Sequence, residues 1–308
     1  DFRFKMRVWF LKETKTIDVS CGTGCNILLG SRENKVHRIT PRENEAVNSY
    51  WMPDSHRLNY TYLHREDRLK EPVVKGEAVR WKDAVTAAAE SLKRHAGNTT
   101  AIIASGRMTN EELFLVKRLA ATLGTELVDI RPRAQKGDGF LVSDDGNPNT
   151  SGAKLLGVAS ATPGSRLSEI AQGIAGGRIT ALVVLGENPL HCGITETDLS
   201  KLTSLVVLDI LPNGATKHAA VLLPGSAAYE KRGSMVNVNG RLQRLNRALN
   251  APGHARDDWE ILADLLRALG AESASSIEDL FKQMAAATPA LAGLNLGKIG
   301  DLGVDIKA

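Results

Sequence analysis

Residues 99–130 read TTAIIASGRMTNEELFLVKRLAATLGTELVDI, and this stretch decides the fold. TTAIIAS is a short β-branched apolar run bounded by Gly106, the pattern of a buried strand. Thr109 or Asn110 then stands as an N-cap, with Glu111 and Glu112 in the first turn and Gly124 as the stop. The helix between them is followed by a second strand-like run, TELVDI. Upstream, WKDAVTAAAESLKRHA (81–96) sets Trp81, Ala84, Val85, Ala88, Leu92 and Ala96 on one helical stripe. Helix, strand, helix, strand is the beat of a parallel α/β sheet, whose crossovers need a helix.

The beat continues downstream. LSEIAQGIAGG is a helix, TALVVLG a strand, ETDLSKL a short helix, SLVVLDIL a strand and AAVLLPG a last apolar run stopped by Pro224. Residues 257–270 form a helix with Trp259, Leu262, Leu265, Leu266 and Leu269 apolar and Gly270 as C-cap. Residues 131–165 interrupt the pattern. RPRAQKGDG and SDDGNPNTSG are turn-rich and read as a long surface loop, either functional or the scar of something larger. Residues 271–308 hold one weak helix, IEDLFKQMAAA, and a Gly- and Ala-rich tail that reads as peripheral.

The N-terminal third is different. TIDV, NILLG and KVHRIT are short β-like runs between Gly and Asn turns, and residues 41–72 have little periodicity, so 1–72 reads as a small, mostly β unit. The opening DFRFKMRVWF alternates, with Phe2, Phe4, Met6, Val8 and Phe10 on one face. It reads as a strand entered without preamble, which fits a segment of a longer polypeptide or a processed N-terminus. The division expected is therefore 1–72, 73–270 and 271–308, within an α/β fold class.

Composition narrows the chemistry. The chain has 308 residues, 43% of them hydrophobic and 24% charged, which is ordinary globular material. A net charge of +4, from 39 basic and 35 acidic residues, is too small and mixed to argue for nucleic acid. No run approaches the ~18 apolar residues of a membrane span. Three Cys exclude a disulfide framework and also a four-thiolate metal site within these residues. The sequence has no G-x-S-x-G, no Walker loop and no G-x-G-x-x-G opening a helix, and the seven His show no i, i+4 zinc pair.

Three segments remain as candidates. Cys21-Gly-Thr-Gly-Cys25, with Asp18 three residues upstream, suits a metal or Fe–S cluster; the alternative is two buried thiols. Gly186, Glu187, Asn188 and Pro189 follow a parallel strand, where open α/β sheets bind nucleotides; the alternative is a turn using Gly, Asn and Pro for shape. Residues 224–244, PGSAAYEKRGSMVNVNGRLQR, are the densest polar segment. Arg241 and Arg244 suit a carboxylate or phosphate, unless the segment is a solvated, salt-bridged hairpin.

These segments stand in an order that resembles the large iron–sulfur subunit (75 kDa type) of NADH:quinone oxidoreductase, complex I, in its part downstream of the N-terminal Fe–S modules. The resemblance rests on DFRFKMRVWFLK, TIDVSCGTGCNI, NSYWMPDSHRL, LVVLGENP, the run from LVVLDILPNGATKH to NVNGRLQRLNRA, and DDWEIL, and covers roughly residues 1–270. It implies a molybdopterin-oxidoreductase-type fold. In catalytic members of that superfamily four Cys hold a 4Fe–4S cluster, and a Lys after the fourth links it to a bis-pterin Mo or W centre. Placed on this sequence, the first Cys position is Asp18, the second and third are Cys21 and Cys25, the fourth falls on Pro53 and the Lys on Ser55. Proline offers no side-chain ligand, so the resemblance implies relic ligand positions at Asp18, Cys21 and Cys25 without a cluster.

It further implies that Gly186–Pro189 is a relic pterin or nucleotide loop, that Cys192 is the only thiol near the expected face, and that the segment has no catalytic residue. No cofactor is expected here; 4Fe–4S and 2Fe–2S clusters are expected in the upstream part of the full-length subunit. The partners implied are those upstream modules and other peripheral-arm subunits, on the cytoplasmic side of the inner membrane. The alternatives are a subunit of an NAD-linked hydrogenase and a Mo/W bis-pterin oxidoreductase such as formate dehydrogenase.

Overall fold

The computed structural model describes residues 5–95 and 97–306. In chain order the strands are β1 (Lys12–Ile17), β2 (Asn26–Arg32), β3 (Lys35–Pro41), β4 (Val73–Val74), β5 (Glu77–Ala78), β6 (Thr100–Ala104), β7 (Val128–Ile130), β8 (Ala181–Leu185), β9 (Ser204–Asp209), β10 (Val221–Pro224), β11 (Gly233–Val236), β12 (Arg241–Leu245) and β13 (Val304–Asp305). The helices are α1 (Trp81–Lys93), α2 (Asn110–Leu123), α3 (Thr150–Leu155), α4 (Leu167–Ala175), α5 (Glu196–Lys201), α6 (Asp258–Leu269), α7 (Ile277–Ala287) and α8 (Leu296–Ile299). None is long and apolar enough to cross a membrane.

A seven-stranded sheet runs β5-β4-β10-β9-β8-β6-β7. Its pairs from β10 to β7 are parallel, and the short β4 and β5 close one edge antiparallel. The period-two geometry of strands sends alternate side chains to two separate cores. Ile102, Ala104, Val183, Leu185, Val206 and Leu208 meet α1, α2 and α6. Ala101, Ile103, Leu182, Val184, Leu205 and Val207 meet α4 and α5. Burial on both faces explains why these strands read as unbroken apolar runs.

Local signals set the helix ends. Thr109 and Glu112 form a reciprocal capping box: the Thr109 N–H donates to Glu112 Oε2 at 2.9 Å, and the Glu112 N–H donates to Thr109 Oγ1 at 3.3 Å. Gly124 ends α2 at φ +66°, in the left-handed region that a Cβ disfavours.

Four expectations change. Phe2, Phe4 and Ala96 lie outside the described residues. Residues 8–10 form a 3-10 turn, and pairing starts only at Lys12, opposite Ser31. A strand needs one buried face to fix its register, whereas Trp9 is 73% and Phe10 52% exposed. Their rings instead carry Arg7 and Arg32 guanidinium groups at 5.4 Å and 4.9 Å.

Second, residues 131–165 are not all surface loop. They hold α3, and Asn147, Asn149, Ala153 and Val158 are fully buried. Third, residues 224–244 are no solvated hairpin. Tyr229, Glu230, Lys231, Ser234, Asn237 and Gln243 are all buried. Tyr229, Met235 and Leu245 complete the core of the N-terminal β unit together with Ile27, Leu29 and Leu63. Arg68 donates to both carboxylate oxygens of Glu230, at 3.0 and 2.7 Å, across that junction. Fourth, the tail is not peripheral. Leu280, Phe281, Met284, Leu291 and Ile299 belong to the main core, and β13 pairs with β12.

Candidate functional site

The direction of winding reverses between β6 and β8: β7 lies on one side of β6, and β8, β9 and β10 follow on the other. Side chains beyond the carboxyl ends of strands at such a point line a crevice. Here it is a cleft of about 650 Å³, lined by Ser105, Arg131, Gly186, Asp209 and Ser226 from five successive strand ends. Val19, Asn59 and Tyr62 of the β unit face it from across.

Gly186, Glu187, Asn188 and Pro189 therefore stand where the sequence places them, at the mouth of β8. Gly186 has φ +65°, and a Cβ there would meet Ser105 at 3.5 Å. The loop is largely satisfied from within. Glu187 is buried, accepts from Ser105 Oγ at 2.8 Å and holds Arg133 at 2.7 Å. Asn188 Oδ1 caps the Leu190 N–H, with Pro189 in the turn that follows. Arg133 also donates to Asn147, whose side-chain amide donates to the Arg131 carbonyl. Arg107, exposed on the cleft rim, and Arg131, 3.3 Å from His191, place two guanidinium groups on the cleft. Its volume and this charge suit a ligand of nucleotide size carrying an anionic group.

Asp209 is the acid of the cleft floor. Asn213 Nδ2 and the Ile210 N–H each donate to it at 2.7 Å. Burial outweighs these bonds and pushes its carboxyl up to about 6 from the usual 3.8. The carboxyl resonance of Asp209 should titrate with a midpoint near 6. The folded state then holds this proton more tightly than the unfolded chain. The contribution of Asp209 to stability therefore falls as pH rises from about 4 to about 6. Asp209→Asn should remove that slope from urea unfolding curves; a midpoint at or below the usual value would refute the assignment.

Lys231 was missed as a cleft residue because its neighbours in sequence read as surface. Its Nζ lies 2.8 Å from Glu112 and 2.9 Å from Asp258, both buried. Burial alone would lower the ammonium, and the two carboxylates outweigh it and raise it. Burial also pushes Glu112, the capping residue of α2, up to about 7, with Lys231 opposing.

The Cys21 and Cys25 thiols lie across the N-terminal unit, each only 1% exposed. Each Sγ lies 3.9 Å from the Leu141 carbonyl oxygen. Burial, then Asp18 and then Cys21, push the Cys25 thiol up to about 12. Asp18 does not aim a free carboxylate at them. It accepts from the Ser20 N–H and hydroxyl and lies 2.5 Å from His56 Nδ1, with both residues buried. His56 escaped notice because its acid is 38 residues away in sequence. Pro53 precedes the turn Asp54–His56, and Ser55 is exposed. As a donor set for a four-iron cluster these residues do not fit: two thiols, one committed carboxylate and a proline. Among the described residues, no three His, Cys, Asp or Glu side chains gather as a metal site.

The remaining candidates are structural. Arg241 pairs with Asp305 and Arg244 with Asp301, which ties the tail to β12. Cys192 is buried in the helix α4–α5 core, and burial pushes its thiol up to about 11.

Residues 11–61 match the NADH-ubiquinone oxidoreductase NDSU1/NuoG-like 4Fe-4S domain, and residues 146–268 the molybdopterin oxidoreductase family. The chain is 34% identical over 137 residues to the NADPH-Fe(3+) oxidoreductase subunit alpha of Geobacter sulfurreducens, 43% of this chain and 16% of that protein. It is 32% identical over 152 residues to the mitochondrial NADH dehydrogenase [ubiquinone] iron-sulfur protein 1 of Solanum tuberosum, 46% of this chain and 20% of that one. The F420-dependent formate dehydrogenase 1 subunit alpha of Methanococcus maripaludis is 32% identical over 133 residues, 41% of this chain and 20% of that protein. The matches thus span a fifth or less of these relatives' own length. Acetylene hydratase from Pelobacter acetylenicus shares the fold, with a TM-score of 0.62 at 9% identity over 96% of this chain and 74% of that one. By sequence, the chain carries a segment that matches a NuoG-like 4Fe-4S domain, followed by one that matches the molybdopterin oxidoreductase family.

Proposed function

We propose that this chain is a non-catalytic, structural part of the large iron–sulfur subunit of an NADH:quinone oxidoreductase, respiratory complex I. It supports electron transfer that runs from NADH to quinone through Fe–S clusters elsewhere in the full-length subunit and its partners. Its place is the peripheral arm, on the cytoplasmic side of the inner membrane. The observation that supports this reading most is the ligand set: Asp18 is spent on His56, Pro53 offers no donor, and Cys21 and Cys25 both face a backbone carbonyl. On this reading Asp18, Cys21 and Cys25 are relic ligand positions. Gly186–Pro189 is a relic nucleotide loop whose polar groups are turned inward. The plant relative is an NADH dehydrogenase iron–sulfur protein by its name.

A second reading, a Mo or W bis-pterin subunit, draws on the cleft at the strand ends and on the formate dehydrogenase and Fe(3+) oxidoreductase relatives, whose identities are similar. A third, a subunit of an NAD-linked hydrogenase, changes only the partners. The test is to express the chain anaerobically with iron and molybdate supplied and to measure both metals. Neither metal should be retained in stoichiometric amount; stoichiometric iron or molybdenum would overturn the structural reading. Co-purification of the full-length subunit should bring down quinone-reductase subunits, and recovery of hydrogenase subunits instead would move it to the third reading.

A further inference from the structure

The two thiols converge on one oxygen, and the segment that carries it is held in place from several directions. Asp138 accepts from the backbone N–H groups of Phe140, Leu141 and Val142 at 2.8–2.9 Å, while its own N–H donates to the Val142 carbonyl at 3.1 Å. These bonds hold the Asp138 carboxyl below its usual range. Gly137 donates to Asp144 Oδ1 at 2.8 Å, and a Cβ at Gly137 would meet the Val142 oxygen at 2.7 Å. The result is a tight knot at the tip of the loop. It leaves Phe140 64% exposed and turns Leu141 inward, to 8%.

The cysteine turn is clamped against this knot. The Gly22 N–H donates to the Asp145 carbonyl at 2.8 Å. From the other side the Val238 N–H donates to the Gly22 carbonyl at 2.9 Å, Asn237 to the Thr23 carbonyl at 3.1 Å and Gln243 to the Gly24 carbonyl at 2.8 Å. A Cβ at Gly22 would come within 2.4 Å of Val238 Cγ1, so Val238 packs directly against the turn. A metal–thiolate bond is about 2.3 Å long. Metal atoms bonded to the two sulfurs on the side they face would crowd the Leu141 carbonyl, and a multi-iron cluster spanning them would overlap the loop backbone.

We propose that residues 131–146 are a plug: the Asp138 knot seats the Leu141 carbonyl over Cys21 and Cys25, fills the place a cluster spanning both thiols would take, and shields the pair from solvent. The plug rests on this local geometry and not on which complex the chain belongs to. It gives the two buried thiols a place as packing groups beneath the Leu141 carbonyl. Small buried thiols that donate weakly to a carbonyl are tolerated as packing groups.

The test is the alkylation rate of each cysteine in the full native chain, with iodoacetamide as probe and mass spectrometry as readout. Cys192 is the internal control, since it is buried in a different core. Asp138→Ala removes the acceptor of three N–H groups, so local opening of the loop becomes more frequent. Cys21 and Cys25 should then react at least about tenfold faster, with Cys192 unchanged. Asp138→Asn keeps a neutral acceptor and should fall between. Unchanged Cys21 and Cys25 rates in both variants would overturn the plug. So would acceleration of all three cysteines in step in Asp138→Asn, because the shielding would then be a property of global stability. Either alkylation result overturns the plug and leaves the proposed function standing, recovery of hydrogenase subunits does the reverse, and stoichiometric iron would overturn both.

Discussion

Lys231→Met is expected to cost the chain about 3–5 kcal/mol of stability, because it leaves Glu112 and Asp258 as buried carboxylates without their cation. Methionine nearly matches the volume of the lysine stem, so the loss reports on charge more than on a cavity. The deficit should depend on pH. Without Lys231 the Glu112 carboxyl, already pushed up to about 7, rises further. An acid with a raised folded value binds its proton more tightly when folded. The stability of the variant relative to the parent therefore falls as pH increases through neutrality and recovers as Glu112 is protonated. Urea unfolding at about pH 5.5 and about pH 8 reads both the size and the sign. A deficit below about 1 kcal/mol at both values would mean that water reaches these carboxylates.

Phe281→Ala is expected to cost about 3–5 kcal/mol, the range for emptying a fully buried aromatic site. Phe281 lies in α7, in a region that reads as peripheral from sequence, yet it shares a core with α2 and α6. The experiment therefore separates two views of the last 38 residues. If they formed an appendage, the loss would be small and the main unfolding transition unchanged. If they belong to the core, a single transition moves as a whole. Thermal or urea unfolding followed by Trp fluorescence distinguishes the two.

Much of the parallel sheet was legible because its signals are local. AIIA, ALVVL and LVVLD are short apolar runs whose alternate residues fill two cores, and burial on both faces is what makes them uniformly apolar. The capping box from Thr109 to Glu112 spans four residues, and the stop at Gly124 needs only its own φ. The candidate site was legible in part. Gly186 does stand at the switch point, because a parallel strand fixes which end its following loop occupies. Asp18, Cys21 and Cys25 were found by their spacing. The inward commitment of Asp18 was not, since His56 comes from a turn far along the chain.

The places where sequence misled share one cause. Trp9 and Phe10 sit in an alternating run, and among the described residues no strand covers them. The segment AYEKRGSMVNVNGRLQ is polar by composition whether it faces water or a buried network. Only its partners decide, and Arg68, Glu112, Glu111 and Asp258 arrive from other elements. Sequence by itself determined the order of helices and strands and the ends of α2. Those properties depend on residue type and spacing within a few positions. Tertiary structure alone decided that Leu141 covers both thiols, that Lys231 is buried between two acids, and that Phe281 lies in the core. Each of these is a contact across more than 20 residues, and its energy comes from the removal of water, which no local pattern records.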